Sequence, residues 1–344
     1  MISTGSLSFC GVRVDGTLWC WGENNKGQLG LGDRRSHPDP TRVGDSTEWQ
    51  SVSAGAEHTC AVRTDQSLWC WGSNQLGELG VGGRSAGPIV PTQVTHGGHG
   101  GWLSVSAGAQ YTCAVDRTHR YWCWGSNANG DFGAGTSGGL STRPSLVGKT
   151  REWASVSVSD FDTHTCGTTL GGALYCWGNN HNGQLGVGST RRHTRPVQVG
   201  ASSDWSAVSL GGAYTCATKR DLSLLCWGSA ADGELGTGAD EDQLIPQLVA
   251  PQDLWASVSV GRHHTCATGA DGSAWCWGLN TDGEVGDGTT TTREIPVRIG
   301  DGAAHWASVA AGGYLSAGVQ TNATGYTWGA YDGQFGSLVP VQVR

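Results

Sequence analysis

The dipeptide Trp-Gly returns seven times, at Trp21, Trp71, Trp124, Trp177, Trp227, Trp277 and Trp328, at spacings of 50 to 53 residues. A fixed period of this length means that the chain is built from copies of one supersecondary unit, none of which can bury its apolar face alone. Each copy carries further marks in the same order. A Gly-x-apolar-Gly element follows the tryptophan, at Gly27 to Gly30, Gly77 to Gly80, Gly130 to Gly133, Gly183 to Gly186, Gly233 to Gly236, Gly283 to Gly286 and Gly333 to Gly336. A proline with a β-branched residue three positions later comes next, from Pro40 with Val43 to Pro340 with Val343, and then Trp-x-x-Val, at Trp49, Trp102, Trp153, Trp205, Trp255 and Trp306. The first repeat lacks that last tryptophan and opens on "ISTG", which aligns with "VSAG" from Val52.

Each unit holds about four short apolar runs separated by glycine or Asp-Gly, and nothing with a helical period over ten or more residues. Four strands repeated seven times predict an all-β chain, a seven-bladed β-propeller of four-stranded antiparallel blades. The last repeat ends after "PVQV", where the first would continue, so the ends are complementary and a ring closed near the two termini is favoured over an open solenoid. No linker divides the 344 residues, and the expectation is one domain, 1–344. Charged residues make up 15%, against ~25% in globular proteins, while 57 glycines and 17 tryptophans fit tight turns between strands.

Twelve cysteines fall into six pairs, each with nine residues between partners: Cys10 with Cys20, Cys60 with Cys70, Cys113 with Cys123, Cys166 with Cys176, Cys216 with Cys226, and Cys266 with Cys276. A turn such as "VDGT" at 14–17 sits midway. A three-residue hairpin loop with a left-handed glycine pairs residue 13 with 17, and therefore 10 with 20. Counting outward, 10 and 20 form a non-hydrogen-bonded pair, whose Cα separation near ~4.5 Å lies within disulfide reach. One cross-strand disulfide per blade in six blades is expected, each contributing roughly 2.5–3 kcal/mol in the chain-entropy model. Blade seven has Ala317 and Thr327 instead. Six disulfides imply an oxidising compartment, hence a secreted or surface-displayed protein. The start "MISTGSLSFC" has no basic or apolar leader region, and Met1 reads as a start added to a mature fragment.

In "LWCWG" strand alternation puts Trp19 and Trp21 on one side of the sheet and Cys20 on the other. One face should pack rings between blades while the other carries the staple.

The stretch "HTCAVRTDQSLWCWGSNQLGELGVG", 58–82, resembles the repeat of the RCC1 (regulator of chromosome condensation) family in its His-Thr, hairpin, Trp-Gly-x-Asn and Gly-x-Leu-Gly elements, and the resemblance runs through essentially the whole chain. It implies a seven-bladed propeller, often closed by strands from both termini. Family members that exchange nucleotide on small GTPases act through loops on one face. A photoreceptor branch depends on Gly-Trp-Arg-His-Thr, and the nearest match here, "GRHHT" at 261–265, lacks the tryptophan, which argues against light sensing. Secreted bacterial relatives that inhibit β-lactamases fit the inferred compartment.

The net charge of −8 speaks against a nucleic-acid partner, which needs a basic surface. No apolar run is long enough to span a membrane. No G-x-S-x-G, H-E-x-x-H or phosphate loop is present, so the chain reads as non-enzymatic, without cofactor or metal. His58, His164 and His264 occupy the His-Thr step, where other repeats have Ser8, Tyr111, Tyr214 and Leu315. A position so freely exchanged supports a turn rather than catalysis. "HGGHGG" at 96–101 places two histidines on flexible glycine, a poor metal site.

What remains is surface. The turn between glycine and the His/Tyr-Thr step varies from blade to blade, and symmetry places all seven copies around one end of the channel. Its candidate partner-binding residues are Leu7, Glu57, Gln110, Asp160, Phe161, Asp162, Arg262, His263 and Tyr314, with Phe161, Arg262 and Tyr314 as anchors; blade four's copy, "DFDTH" at 160–164, is two residues longer. The loops "DRRSHPD" at 33–39, "STRRHTR" at 189–195 and "TTTTRE" at 289–294 form a second polar surface. The expected role is that of a monomeric scaffold for another protein. The alternatives are a glycan-binding propeller, using exposed tryptophans as stacking platforms, and an inhibitor of a secreted enzyme.

Overall fold

The computed structural model describes residues 1–148, 152–161, 164–300, 302, 305–329 and 336–343. Asp162 of the expected rim and Gly333 of the last Gly-x-apolar-Gly element lie outside them. Seven four-stranded antiparallel sheets follow one another along the chain, over 2–42, 49–93, 102–147, 153–198, 205–248, 255–298 and 306–342. In each the strands lie in sequence order. The first strands of neighbouring blades stand side by side around a closed ring, with Ile2–Thr4 next to both Trp49–Ala54 and Trp306–Ala311. This is the seven-bladed propeller expected from the period. Closure differs from the strand-sharing clasp implied by the resemblance: blade one uses only N-terminal strands and blade seven only C-terminal ones, and the two are packed together. Thr4 Oγ1 donates to Ala311 O at 2.8 Å across this junction.

Trp-x-x-Val acquires its meaning from a bulge. Strict alternation would send residues three apart to opposite faces, yet Trp49 and Val52 are both buried. The pairing slips between Trp49 and Ser51, and the same slip occurs after Trp153, Trp205, Trp255 and Trp306. The extra residue turns the tryptophan back onto the core face.

Blades are locked together by the Gly-x-apolar-Gly element. The carbonyl of Gln28 accepts from Thr59 Oγ1 at 2.8 Å and from Trp71 Nε1 at 2.9 Å, both in blade two. Asp131, Gln184, Glu234 and Glu284 offer the same double acceptor to the blades that follow them. Gly30 lies so close to the Trp71 ring that a Cβ there would stand 2.7 Å from Nε1, and its φ is +72°. Only glycine meets both demands.

The second and third strands carry the staples. Every expected partner is found: Cys10 is bonded to Cys20, Cys60 to Cys70, Cys113 to Cys123, Cys166 to Cys176, Cys216 to Cys226 and Cys266 to Cys276. No cysteine is free. One detail departs from expectation. The Cα–Cα distances are 4.1–4.2 Å, shorter than the separation anticipated for a non-hydrogen-bonded pair, because the bridge draws the two strands together. Trp21, Trp71, Trp124, Trp177, Trp227, Trp277 and Trp328 are buried, while Trp19, Trp69 and Trp275, two residues earlier on the same side, are half-covered.

Candidate partner-binding rim

The rim is built on a ring of backbone contacts at one end of the channel. The turn after each first strand begins with glycine because its next neighbour's carbonyl is in the way: a Cβ on Gly55 would sit 2.5 Å from Gly108 O, and one on Gly5 2.3 Å from Gly55 O. Gly108, Gly211, Gly261 and Gly312 meet the following blade in the same manner. Blade four breaks the pattern with Ser159, whose Oγ donates to Gly211 O at 2.6 Å, replacing a contact by a hydrogen bond. Amides reinforce the ring, with Ala109 N donating to Ser159 O at 3.2 Å, Arg262 N to Gly312 O at 3.0 Å and Gly313 N to Ser6 O at 3.1 Å.

Below the rim the His/Tyr position is fully buried and joins blades. His58 Nε2 lies 2.7 Å from Thr112 Oγ1, His164 Nε2 2.9 Å from Thr215 Oγ1 and His264 Nε2 2.8 Å from Ser316 Oγ. Tyr111 and Tyr214 fill the intervening blades by donating to His164 O and His264 O. Burial drives the pKa of His58 down to about 4 and that of His264 to about 3, so both are neutral fillers at ordinary pH.

The three anchor residues meet. Arg262 Nη1 donates to Tyr314 Oη at 2.7 Å, and its guanidinium carbon lies 5.6 Å from the Tyr314 ring and 5.9 Å from the Phe161 ring. Turns of blades four, six and seven thus share one cation–aromatic cluster. Beside Phe161, burial pushes the Asp160 carboxyl well above the usual carboxylate range, although the residue keeps some surface.

The other candidates stand apart from the cluster. Glu57 pairs with Lys26 Nζ at 3.6 Å, and His263 Nδ1 lies 2.9 Å from Asp232 Oδ2. Burial lowers the His263 pKa, against the pull of Asp232. Gln110 is exposed, and Leu7 packs against the Phe9, Trp21 and Leu315 cluster. Lys26 and Asp232 are rim residues that the sequence reading missed. Both immediately precede the first glycine of Gly-x-apolar-Gly, and that register was the available signal.

The second polar surface lies on the same end, farther out, because third-to-fourth strand connections emerge there. Arg293 pairs with Asp287 at 2.6 Å, and Arg34 donates to Ala86 O and Gly87 O of the next blade, so these arginines serve the scaffold. In the "HGGHGG" loop the His99 ring lies 5.6 Å from Trp122. Among the described residues no three His, Cys, Asp or Glu side chains gather as metal ligands, and no helix is long and apolar enough to cross a membrane.

The profile of the regulator of chromosome condensation (RCC1) repeat matches residues 15–62, 65–115, 171–218, 223–268 and 271–319. The chain belongs to the RCC1 family. Among curated relatives the chain is 30% identical to the ultraviolet-B receptor UVR8 of Arabidopsis thaliana over 213 residues, 61% of this chain and 48% of the receptor. It is 39% identical to the probable E3 ubiquitin-protein ligase HERC4 of Homo sapiens over 184 residues, 52% of this chain and 17% of the ligase. The matched region therefore spans about half of the first relative and a much smaller part of the second. Among solved structures, yeast RCC1 (Prp20) bound to Kap60 superposes with a TM-score of 0.84 at 20% identity, covering 97% of this chain and 85% of that one. Human WBSCR16 gives 0.84 at 19%, covering 95% and 94%. The ectodomain of the Arabidopsis thaliana receptor kinase ACR4 gives 0.57 at 18%, covering 100% and 97%. At these identities the likeness to the solved structures is one of fold.

Proposed function

We propose that this RCC1-repeat propeller is a non-enzymatic, secreted or surface-displayed scaffold that binds another protein through the channel rim. The observation that carries the reading is the convergence of Phe161, Arg262 and Tyr314 from three blades onto one cluster. Aromatic and arginine side chains dominate interface energies, and anchors held in place before binding lose less entropy on association. The rim's backbone ring supplies the rigidity. Six disulfides support an oxidising compartment. Yeast Prp20, of the same fold, is bound to Kap60 in its structure, and the ACR4 propeller is an ectodomain. The glycan alternative loses support, because Trp19, Trp69 and Trp275 are half-covered and the other tryptophans are buried, leaving no exposed stacking platform among the described residues.

The test is affinity capture from the producing organism's secreted proteins, followed by binding measurements with the purified partner. Changing Phe161, Arg262 and Tyr314 together to alanine should weaken binding at least tenfold, while Val14→Ala on the opposite end should not. Equal capture by the triple variant would remove the rim from the mechanism.

A further inference from the structure

Beneath the rim, blade two meets blade three and blade six meets blade seven through a histidine, whereas blades three and five reach their neighbours through Tyr111 and Tyr214. The neighbouring hydroxyl fixes the state of each imidazole. Thr112 Oγ1 donates its single proton to Glu78 O at 2.7 Å, and Ser316 Oγ donates its own to Glu284 O at 2.8 Å, so towards the histidines both can only accept. His58 Nε2 and His264 Nε2 therefore carry the hydrogen, and Nδ1 keeps a bare lone pair. In both rings Nδ1 is sealed from solvent and has no hydrogen-bond partner among the described residues. At His264 it lies against the rim glycine, where a Cβ on Gly261 would stand 3.1 Å from it.

A proton taken up at Nδ1 adds a donor with nothing to receive it and a charge with nothing to balance it. Among the described residues Glu78 alone pulls His58 towards the cationic form, and its oxygens are already held by Ser73 Oγ and Leu76 N, each at 2.7 Å. His263 pushes His264 the other way. A histidine released into water faces neither restriction, so acid favours the state in which the contact is open. Tyrosine at the same station ionises only far above neutral pH and is indifferent to acid. The staples do not resist a parting here, because all six disulfides lie within a blade and none crosses a junction.

We propose that His58 and His264 are acid-releasable locks: protonation of Nδ1 parts blade two from blade three and blade six from blade seven at the rim, reversibly and with every disulfide intact. Arg262 and Tyr314 stand on opposite sides of the second junction, so its opening separates two of the three anchors. Release of a bound protein in acid rests on the rim being the binding surface; the parting itself does not. Because burial depresses the closed-state pKa of His58 to about 4 and of His264 to about 3, each lock holds fully above the ordinary histidine value of about 6.5 and weakens as the pH falls below it.

The test is amide hydrogen exchange, followed by NMR at about pH 7 and about pH 5. Three rim amides report on separate junctions: Ala56 N on Gly108 O, Arg262 N on Gly312 O and, at the tyrosine junction between blades three and four, Ala109 N on Ser159 O. With intrinsic exchange rates divided out, protection at Ala56 and Arg262 should fall about twentyfold between the two pH values, while that at Ala109 should change less than about threefold. His58→Tyr should abolish the fall at Ala56 alone, and His264→Tyr the fall at Arg262 alone. If either variant fails to fold, nitrogen-15 spectra of the parent's imidazoles decide, since both rings must stay neutral, with hydrogen on Nε2, in the folded chain at about pH 5. An equal fall at all three amides, a fall that persists in the tyrosine variants, or charging of His58 or His264 in the folded chain above about pH 5 overturns the proposal. Capture at neutral pH by the alanine triple variant tests the rim separately, so either reading can fail without the other.

Discussion

Replacing Glu284 by glutamine should stabilise the protein in alkaline solution and leave it unchanged in mild acid. Glu284 is the variable residue of blade six's Gly-x-apolar-Gly element and is buried. Its Oε2 accepts from Asp282 N at 2.8 Å, while its Oε1 has no hydrogen-bond partner among the described residues. Desolvation raises the carboxyl from its ordinary 4.5 to about 7, backbone hydrogen bonds opposing it only in part. The equivalent Glu78 receives a bond from Ser73 Oγ at 2.7 Å, and Glu234 has Ser229, which limits its rise to about 6. Leu279 takes the serine's place in blade six and cannot donate. The raised folded-state value means that the native protein holds this proton more tightly than the unfolded chain does. Stability from this group is therefore greatest below about pH 4.5 and is lost as the pH climbs through about 7. At 1.36 kcal/mol per pKa unit the full loss is about 3 kcal/mol, and partial solvent screening brings it to about 1–2 kcal/mol. Glutamine already occupies the position in blades one and four, where Gln28 and Gln184 accept the same backbone amide at 2.9 and 3.0 Å. Glu284→Gln should thus gain about 1–2 kcal/mol at about pH 8 and almost nothing at about pH 4, read from urea unfolding midpoints at the two values. A gain of equal size at both, or a loss at the higher pH, would refute the assignment of the cost to ionisation.

Other expectations follow from the same contacts. Gly30→Ala drives a methyl into the Trp71 ring at a left-handed backbone position, and should cost about 3 kcal/mol by chemical denaturation; a loss under about 1 kcal/mol would mean that the two blades part easily. Reduction should release twelve thiols, none of them alkylated beforehand by mass spectrometry of the denatured chain, and should lower stability by roughly 2.5–3 kcal/mol for each bridge opened. Ala323 holds φ +67° in the blade seven hairpin, where Gly16, Gly172 and Gly272 stand in other blades, so Ala323→Gly should raise stability by about 0.5–1 kcal/mol, seen as a higher melting temperature.

The hairpin staples were legible because they are local. Nine intervening residues and a three-residue loop fix which cysteines face each other, whatever the rest of the chain does. Closure was legible for a related reason, since seven equal units of four strands, each needing a neighbour to cover its faces, leave little choice of architecture. The rim was legible in its positions but not in its contacts. Nothing in the spacing of Phe161, Arg262 and Tyr314 says that a turn lengthened by two residues in blade four reaches an arginine two blades away. The pairs Lys26 with Glu57 and His263 with Asp232 join a loop of one blade to a turn of the next, and their partners are about thirty residues apart in sequence.

The sequence by itself determined the repeat, the strands and the sulfur pairing, because these depend on period, alternation and turn length, which act over a few residues. The tertiary structure alone decided which carbonyl receives each tryptophan and how the rim residues meet. Those outcomes depend on surfaces brought together only when the ring closes, where the distance of one blade's backbone from the next sets what fits.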